Sequence, residues 1–436
     1  MGLCRQVVWA RPGRAARRID ITDRSLASSK SRAGSGSVTT DRIRSLFFSS
    51  YSGLGGGETS LLALLGGLDK LNHAPALVCP QSGQLSAAAS ELGIRTHLIP
   101  YRGATSWFIP SLWRYLPTTL RFRRLLRSSR PDVVHSDYHS LPYVLPTARS
   151  LGIPVIFTCW GWWFRPKPWQ VAWFTRPGLT ILAASKAVAR GSLAGAAAIA
   201  GRPAAIVYPG VDTHRFRPRR AQLSSLRARL GLAEEGRVVS LVARYQHVKG
   251  HDVFLKAGRT ILESARQVRL AIAGENVFGG SSEESYKKKI LSQVKGDPLL
   301  SQHLEFLGWI DRPQDLLAAS DVVVVPSRYE SFGMVGVEAM ACGVPVVSTN
   351  VGGPAETIVD GETGFLVPPE RPDMIAERVL TLLADDGLRQ RMGQAGRARV
   401  ETHFSLDRYA AEFAGVVERL LAPHDGQGVS GQGDRR

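Results

Sequence analysis

The sequence predicts an α/β protein of two doubly wound domains facing across a cleft, with a helix closing the chain. From Arg44 onward, short β-branched runs alternate with Ala-, Leu- and Arg-rich helical stretches, the pattern of βαβ units around a parallel sheet. The 436 residues exceed one small core and suit two domains. Between two halves of similar content lies YPGVDTHRFRPR, where Pro209, Gly210 and Pro218 interrupt regular structure.

Taken in order, residues 1–41 form a basic tail expected to be disordered, ending in the linker-like SSKSRAGSGSVTTD. Its Arg and Ser content resembles a transit segment, Asp20 and Asp23 argue against that, and a misassigned start gives the same composition. Residues 42–208 make the first domain, with strands expected at SLFFSS, ALVC, THLI, DVVH, PVIFT, TILAAS and AIVY. Residues 209–395 make the second, with RVVSLVAR, VRLAIAG, LEFLG, DVVVVPS, VPVVST and TGFLV. In the closing region, 396–421, Leu406, Tyr409, Phe413, Val416, Val417 and Leu420 recur at helical spacing. Residues 422–436 read as a polar tail.

Composition narrows the function classes. Hydrophobic residues at 44% and charged residues at 21% are those of a globular protein. No apolar run reaches the ~20 residues of a membrane helix. Cys4, Cys79, Cys159 and Cys342 lie far apart without a C-x-x-C pair, which disfavours zinc and a disulfide framework and fits a reducing, cytoplasmic setting. The net charge of +18 favours an anionic partner, either nucleic acid, a lipid surface or a phosphorylated substrate.

The chemistry concentrates in SDVVVVPSRYESFGMVGVEAMACGVPVVSTNVGGPAETIVDGETGFLVP, residues 320–368. A buried strand, Val322 to Val325, leads to a loop carrying Glu330, and a helix opens near Met334 after Ser331, Phe332 and Gly333. The free N–H groups and positive dipole end of such a helix can hold a diphosphate. Glu330 and Glu338, eight positions apart, can face one ligand from two sides, and carboxylates accept hydrogen bonds from paired sugar hydroxyls. For an arbitrary pair, two solvated surface glutamates is the commoner outcome.

This segment resembles the E-x7-E signature of retaining glycosyltransferases of family 4, the glycogen-synthase-like group, and the following GGPAE and DGETGFLV fit the same pattern. The resemblance implies the GT-B fold of two Rossmann-like domains, with Glu330 on the donor hexose and Glu338 on the ribose. It also implies that the backbone N–H groups of Phe332, Gly333 and Met334, beside Ser331, touch sugar and phosphates. Upstream, VSLVARYQHVKGHDVFLKA is similar to the family's strand, basic loop and helix, which makes Arg244 and Lys249 the cations that stabilise the leaving diphosphate. Ala243 stands where the family more often has glycine. No D-x-D pair follows a strand, so no metal and no cofactor are expected. Family members generally retain anomeric configuration.

In the first half, SSYSGLGGGETS resembles the family's glycine-rich loop, with Gly55, Gly56 and Gly57 opening a helix that can clamp phosphate or the reacting sugar. Many relatives carry a His at the end of the strand read here as PVIFTCWG, where this chain has Trp160. His135 or His139, from VVHSDYH, are the alternatives for that place. Trp160 begins WGWWFRPKPWQVAWF, which holds five of the nine tryptophans. Stacking on Trp160, Trp162 and Trp163, with Arg165 and His139 alongside, suits a glycan or lipid-linked acceptor, and a membrane-interface belt or a packing loop would use the same residues. The stretch from Trp107 to Arg130 has six Arg from Arg114 onward and no acidic residue, which fits either an anionic membrane surface or a solvated helix face.

The expected activity is therefore metal-independent transfer of a hexose-type sugar from a nucleotide-sugar donor in polysaccharide biosynthesis, by an enzyme that is cytoplasmic or peripheral at the inner membrane face. The alternatives are a nucleotide-sugar epimerase of the same architecture and a basic nucleic-acid-binding protein. No zinc-finger, RNP or helix-turn-helix pattern supports the last, so no nucleic-acid partner is expected.

Overall fold

The computed structural model describes residues 42–103, 112–161, 178–191, 201, 203–218, 236–276 and 281–422, excluding the side chains of 112–114. The expectations for residues 1–41 and 423–436 lie outside these. Among the described residues the strands form two parallel sheets. The first contains β1 (Ile43–Phe48), β2 (His73–Cys79), β3 (Arg95–Leu98), β4 (Val133–Ser136), β5 (Val155–Cys159), β6 (Leu179–Ala183) and β7 (Ala205–Ile206), in the order β3-β2-β1-β4-β5-β6-β7. The second contains β8 (Arg237–Val242), β9 (Val268–Ala273), β10 (Leu304–Gly308), β11 (Val322–Val325), β12 (Val346–Thr349) and β13 (Gly364–Val367), in the order β10-β9-β8-β11-β12-β13. The doubly wound α/β architecture read from the alternating pattern is the one observed.

Strand order reverses between β1 and β4 in one sheet and between β8 and β11 in the other. A crevice opens at the carboxyl ends of such strand pairs, because the crossover helices leave them on opposite faces. These four strands lead into the glycine-rich loop, the His139 loop, Arg244 and Glu330.

The inner strands, such as β4, β5, β8, β11 and β12, are buried almost throughout, as their Val-, Leu- and Ile-rich runs require in a parallel sheet, while the edge strands β3, β7 and β10 are partly exposed. Helix Asp386–His403 packs on the second lobe, where Gly396 lies against Met340. The amphipathic helix Leu406–Leu421 instead returns to the first lobe. Its Phe413 ring lies 5.7 Å from Phe47, and Ala410 packs on Gly67. Burying a side chain such as Phe413 contributes roughly 2 kcal/mol, so this helix fastens the end of the chain to its first strand. No described helix is long and apolar enough to cross a membrane.

Candidate functional site

The second lobe's wall is organised around Glu330. β11 ends at Val325, and the loop Pro326–Gly333 returns over the sheet edge before helix Met334–Ala341 begins with Gly333 as its N-cap. The Glu330 carboxylate accepts from Lys249 Nζ at 2.7 Å and from Ser327 Oγ at 3.1 Å, and the ion pair is largely shielded from solvent. Lys249 closes a short 3-10 turn, His247–Lys249, after β8.

Backbone approach explains the glycines around this pair. Gly250 has φ +69°, and a Cβ there would lie 2.1 Å from the Pro326 carbonyl oxygen, so the turn bearing Lys249 sits directly on the strand end that leads to Glu330. Gly352, with φ +78°, would place a Cβ 1.9 Å from the Glu330 carbonyl oxygen, while Gly353 N donates to that same oxygen at 3.0 Å. The Gly-Gly pair of GGPAE is thus the platform on which the Glu330 loop rests.

Arg328 laces the two loops together. Its backbone N donates to Val248 O at 2.8 Å, its guanidinium donates to His247 O at 2.6 Å and to Asp252 at 2.8 and 3.0 Å, and it also pairs with Glu370. Burial acts to raise the Asp252 carboxyl, but Arg328 and Tyr286 hold it well below the usual carboxylate range. Lys249 and Glu330 are therefore carried on a braced frame rather than on independent loops.

Glu338 stands in the second turn of helix Met334–Ala341, half-buried, and its carboxylate has no hydrogen bond among the described residues. Burial pushes it up to about 7, with Arg215 drawing it back. A half-buried acceptor without a donor at a helix start is suited to the hydroxyls of a ligand.

The first lobe's wall faces this one. Gly55 caps helix Gly56–Asp69, and Glu58 reaches back to accept from Gly55 N at 3.0 Å. Positions 56 and 57 are exposed and open around their Cα atoms. Burial raises the Glu58 carboxyl, Asp137 adds to this, and Arg244 from the other lobe opposes it. Ser60 Oγ lies 4.0 Å from Met334 Sδ, so the second turn of helix Gly56–Asp69 meets the start of helix Met334–Ala341 across the crevice. Two positive dipole ends, with Arg244 and Lys249 nearby, favour an anion between them.

His139 follows β4, its Nε2 2.9 Å from Tyr51 Oη. Asp137 beneath it accepts from Ser50 N at 2.5 Å and Ser140 N at 2.7 Å, pinning the loops after β1 and β4 together. His135 is a correction: it lies within β4 between Phe47 and Phe413, its Nε2 2.9 Å from Thr158 Oγ1, and burial pushes it down to about 4. Alternation along the strand turns it into the core, away from the crevice. Trp160, half-buried, follows β5, whereas Trp162, Trp163 and Arg165 lie outside the described residues.

The structure thus brings together Arg244, Lys249, Glu330, Ser331, Phe332, Gly333, Met334 and Glu338 at one sheet edge, with Gly55, Gly56 and Gly57 opposite. Sequence reasoning missed Ser327, Tyr51, Asp137 and Arg328. Each stands within four residues of a residue it did single out, and that proximity was the available signal. Among the described residues, no group of three or more His, Cys, Asp or Glu is placed to hold a metal ion.

Comparison with known proteins gives matches over both lobes. The sequence model described as Glycosyl transferases group 1 matches residues 224–399, and that described as Glycosyltransferase Family 4 matches residues 54–215. A D-inositol 3-phosphate glycosyltransferase of Frankia alni is 35% identical over 291 residues, covering 61% of this chain and 70% of that protein. One of Streptomyces bingchenggensis is 36% identical over 224 residues, covering 50% of this chain and 48% of that protein. Against Streptomyces relatives of this kind, the chain spans about half their length. Among solved structures, Anabaena Alr3699/HepE in complex with UDP-glucose superposes with a TM-score of 0.73 at 21% identity, covering 86% of this chain and 100% of that one. A glycosyltransferase from Rickettsia africae gives 0.75 at 18% identity, covering 88% and 100%. These likenesses are of fold.

Proposed function

The chain belongs to glycosyltransferase family 4, and on that premise we propose that it transfers a hexose-type sugar from a nucleoside diphosphate to a glycan or lipid-linked acceptor, without a metal and with retention of configuration. The observation that carries this reading is the braced Lys249–Glu330 pair beside the first turn of helix Met334–Ala341, with Glu338 unpartnered among the described residues on that same helix.

In this reading the diphosphate lies against the N–H groups of Phe332, Gly333 and Met334. Arg244 and Lys249 take up the charge that builds on the leaving phosphate as the glycosidic bond breaks, the work a metal ion does elsewhere. Glu330 keeps the Lys249 ammonium oriented and offers its remaining lone pairs to the sugar, while Glu338 accepts from the ribose. The acceptor enters over Tyr51 and His139.

A second acceptor reading, a phosphorylated cyclitol, is favoured by the relatives at 35 and 36% identity, which are D-inositol 3-phosphate glycosyltransferases. Peripheral membrane association is a further part of the proposal. Helix Leu112–Ser129 exposes Leu116 and Leu120 in line with the exposed Arg123, Arg124 and Arg127, the arrangement of a helix lying on an anionic leaflet. Equal co-sedimentation with neutral and anionic vesicles would remove that part.

The test of the donor reading is a thermal-shift screen against UDP-, GDP- and ADP-sugars, with and without EDTA, on wild type and Glu338→Ala. Stabilisation by one nucleotide, unchanged by EDTA and weakened in the variant, is expected. Stabilisation that needs a divalent ion, or that survives Glu338→Ala intact, overturns the site as drawn.

A further inference from the structure

We propose that Ser185 and Glu356 form a latch that ties the position of the first lobe to the shape of the Glu330–Met334 loop, which makes both of them positioning residues. Ser185 is fully buried at the end of β6, in the first lobe. Its hydroxyl accepts from Val188 N at 3.1 Å and donates to the Ser331 carbonyl at 2.7 Å, in the middle of the second lobe's loop. Glu356 lies in the short helix Pro354–Thr357, which follows the glycine platform. Its carboxylate accepts from Lys186 N at 2.9 Å, Ala187 N at 2.8 Å and Tyr208 Oη at 2.8 Å.

None of these three donors belongs to the second lobe's own sheet or helices. Lys186 and Ala187 open helix Lys186–Arg190 of the first lobe, and Tyr208 sits in the segment that crosses between lobes. A carboxylate that takes two of its three donors from the other lobe and the third from the crossing segment stabilises one relative position of the lobes. Its bonds are charge-assisted and reinforced by the helix N-terminus, so they are stronger than ordinary neutral ones. Burial raises the Tyr208 hydroxyl, and the Glu356 contact raises it further, so the tyrosine remains a donor at neutral pH.

The latch reaches the loop by three routes. Ser185 holds the Ser331 carbonyl directly. Glu356 pulls on Gly353, the cap of its helix, whose N–H is bonded to the Glu330 carbonyl. The Tyr208 ring lies 6.0 Å from Phe332 and 5.7 Å from Phe404, with Phe332 and Phe404 themselves 5.6 Å apart, so the crossing segment packs against the back of the loop. Arg399 anchors the far side through the carbonyls of Glu356 and Thr357 at 2.9 and 2.7 Å. A change in lobe position that breaks the Glu356 bonds is therefore felt at the N–H groups of Phe332–Met334.

The catalytic consequence rests on the donor reading above, but the coupling does not, and the test separates them. Amide hydrogen exchange over residues 330–334 is measured on the full chain without ligand, in wild type, Ser185→Ala, Glu356→Ala and Glu356→Gln. UDP-glucose turnover is measured on the same four proteins. Exchange at 330–334 is expected to rise at least about tenfold in both alanine variants and less in Glu356→Gln, with β8 and β11 unchanged. Where UDP-glucose is turned over, kcat is expected to fall about tenfold or more in both alanine variants, with a smaller change in KM. Unchanged exchange at 330–334 in folded variants, or an equal rise through β8 and β11, overturns the latch. Absence of turnover in wild type with the exchange response intact counts against UDP-glucose as donor and leaves the latch standing.

Discussion

On the second lobe's wall of the crevice, Lys249 is tied to Glu330 and Arg328 to Asp252, on loops that lie against one another with only glycine between. On the first lobe's wall, Glu58 serves its own helix cap, Asp137 gathers Ser50 and Ser140, and Tyr51 meets His139. One wall presents cations, helix N–H groups and an acceptor without a donor among the described residues. The other presents carboxylates, a phenol and an imidazole beside the N-terminus of helix Gly56–Asp69. A nucleoside diphosphate needs the first kind of surface, and hydroxyls accepting or releasing protons need the second. On the proposed reading the second wall has one fixed task and the first is the one that can be adapted to an acceptor.

The same contrast decides what the sequence could reveal. Glu330 and Lys249 were singled out through the family resemblance, carried by the E-x7-E spacing and the basic loop of VSLVARYQHVKGHDVFLKA, and the structure adds that close backbone packing at Gly250 and Gly352 surrounds them. Strand positions were legible because β-branched runs such as Val322–Val325 are forced by burial on both faces. The return of helix Leu406–Leu421 to the first lobe was not legible, because an amphipathic face shows that a helix is covered and not by what. The His135 alternative failed on alternation within β4, which requires the strand's exact placement. The latch was invisible because Ser185 and Glu356 lie 171 positions apart and meet only through the fold.

Lys249→Ala leaves Glu330 without its ion-pair partner and, on the proposed reading, removes a cation facing the leaving group. Turnover is expected to fall on the order of a hundredfold or more. Near-normal turnover in the folded variant would show that the second wall's charges serve stability alone. Gly352→Ala keeps every functional side chain but places a methyl against the Glu330 carbonyl at a backbone conformation that alanine disfavours. A loss of nucleotide binding of roughly tenfold or more is expected by titration, with a fall in Tm of several degrees. Binding at wild-type strength would mean that the loop does not need its glycine platform.

The first wall should respond differently. His139→Ala is expected to raise KM for the acceptor about tenfold while leaving KM for the donor within about twofold, in steady-state assays with any acceptor that supports turnover. An equal effect on both substrates would break the division between the walls.

The smallest effect, and the most specific, concerns Glu338. Burial raises its carboxyl to about 7, so the folded protein holds the proton more tightly than the unfolded chain does. Linkage then works against the fold: the contribution is fully favourable below the unfolded value, and stability is lost as pH rises from about 4.5 through about 7. Glu338→Gln should remove that penalty, raising Tm by a few degrees at about pH 8 and by little at about pH 5. Nucleotide binding should run the other way. The ionised carboxylate accepts from two hydroxyls where the neutral acid accepts less well, so wild-type affinity should climb between about pH 6 and pH 8, and the glutamine variant should bind several-fold more weakly with a flat profile. A variant that is more stable and less able to bind would mark Glu338 as a group kept for its ligand at the expense of the fold. A variant that loses stability at about pH 8 would instead assign the carboxylate a structural partner, and the ribose role would fall with it.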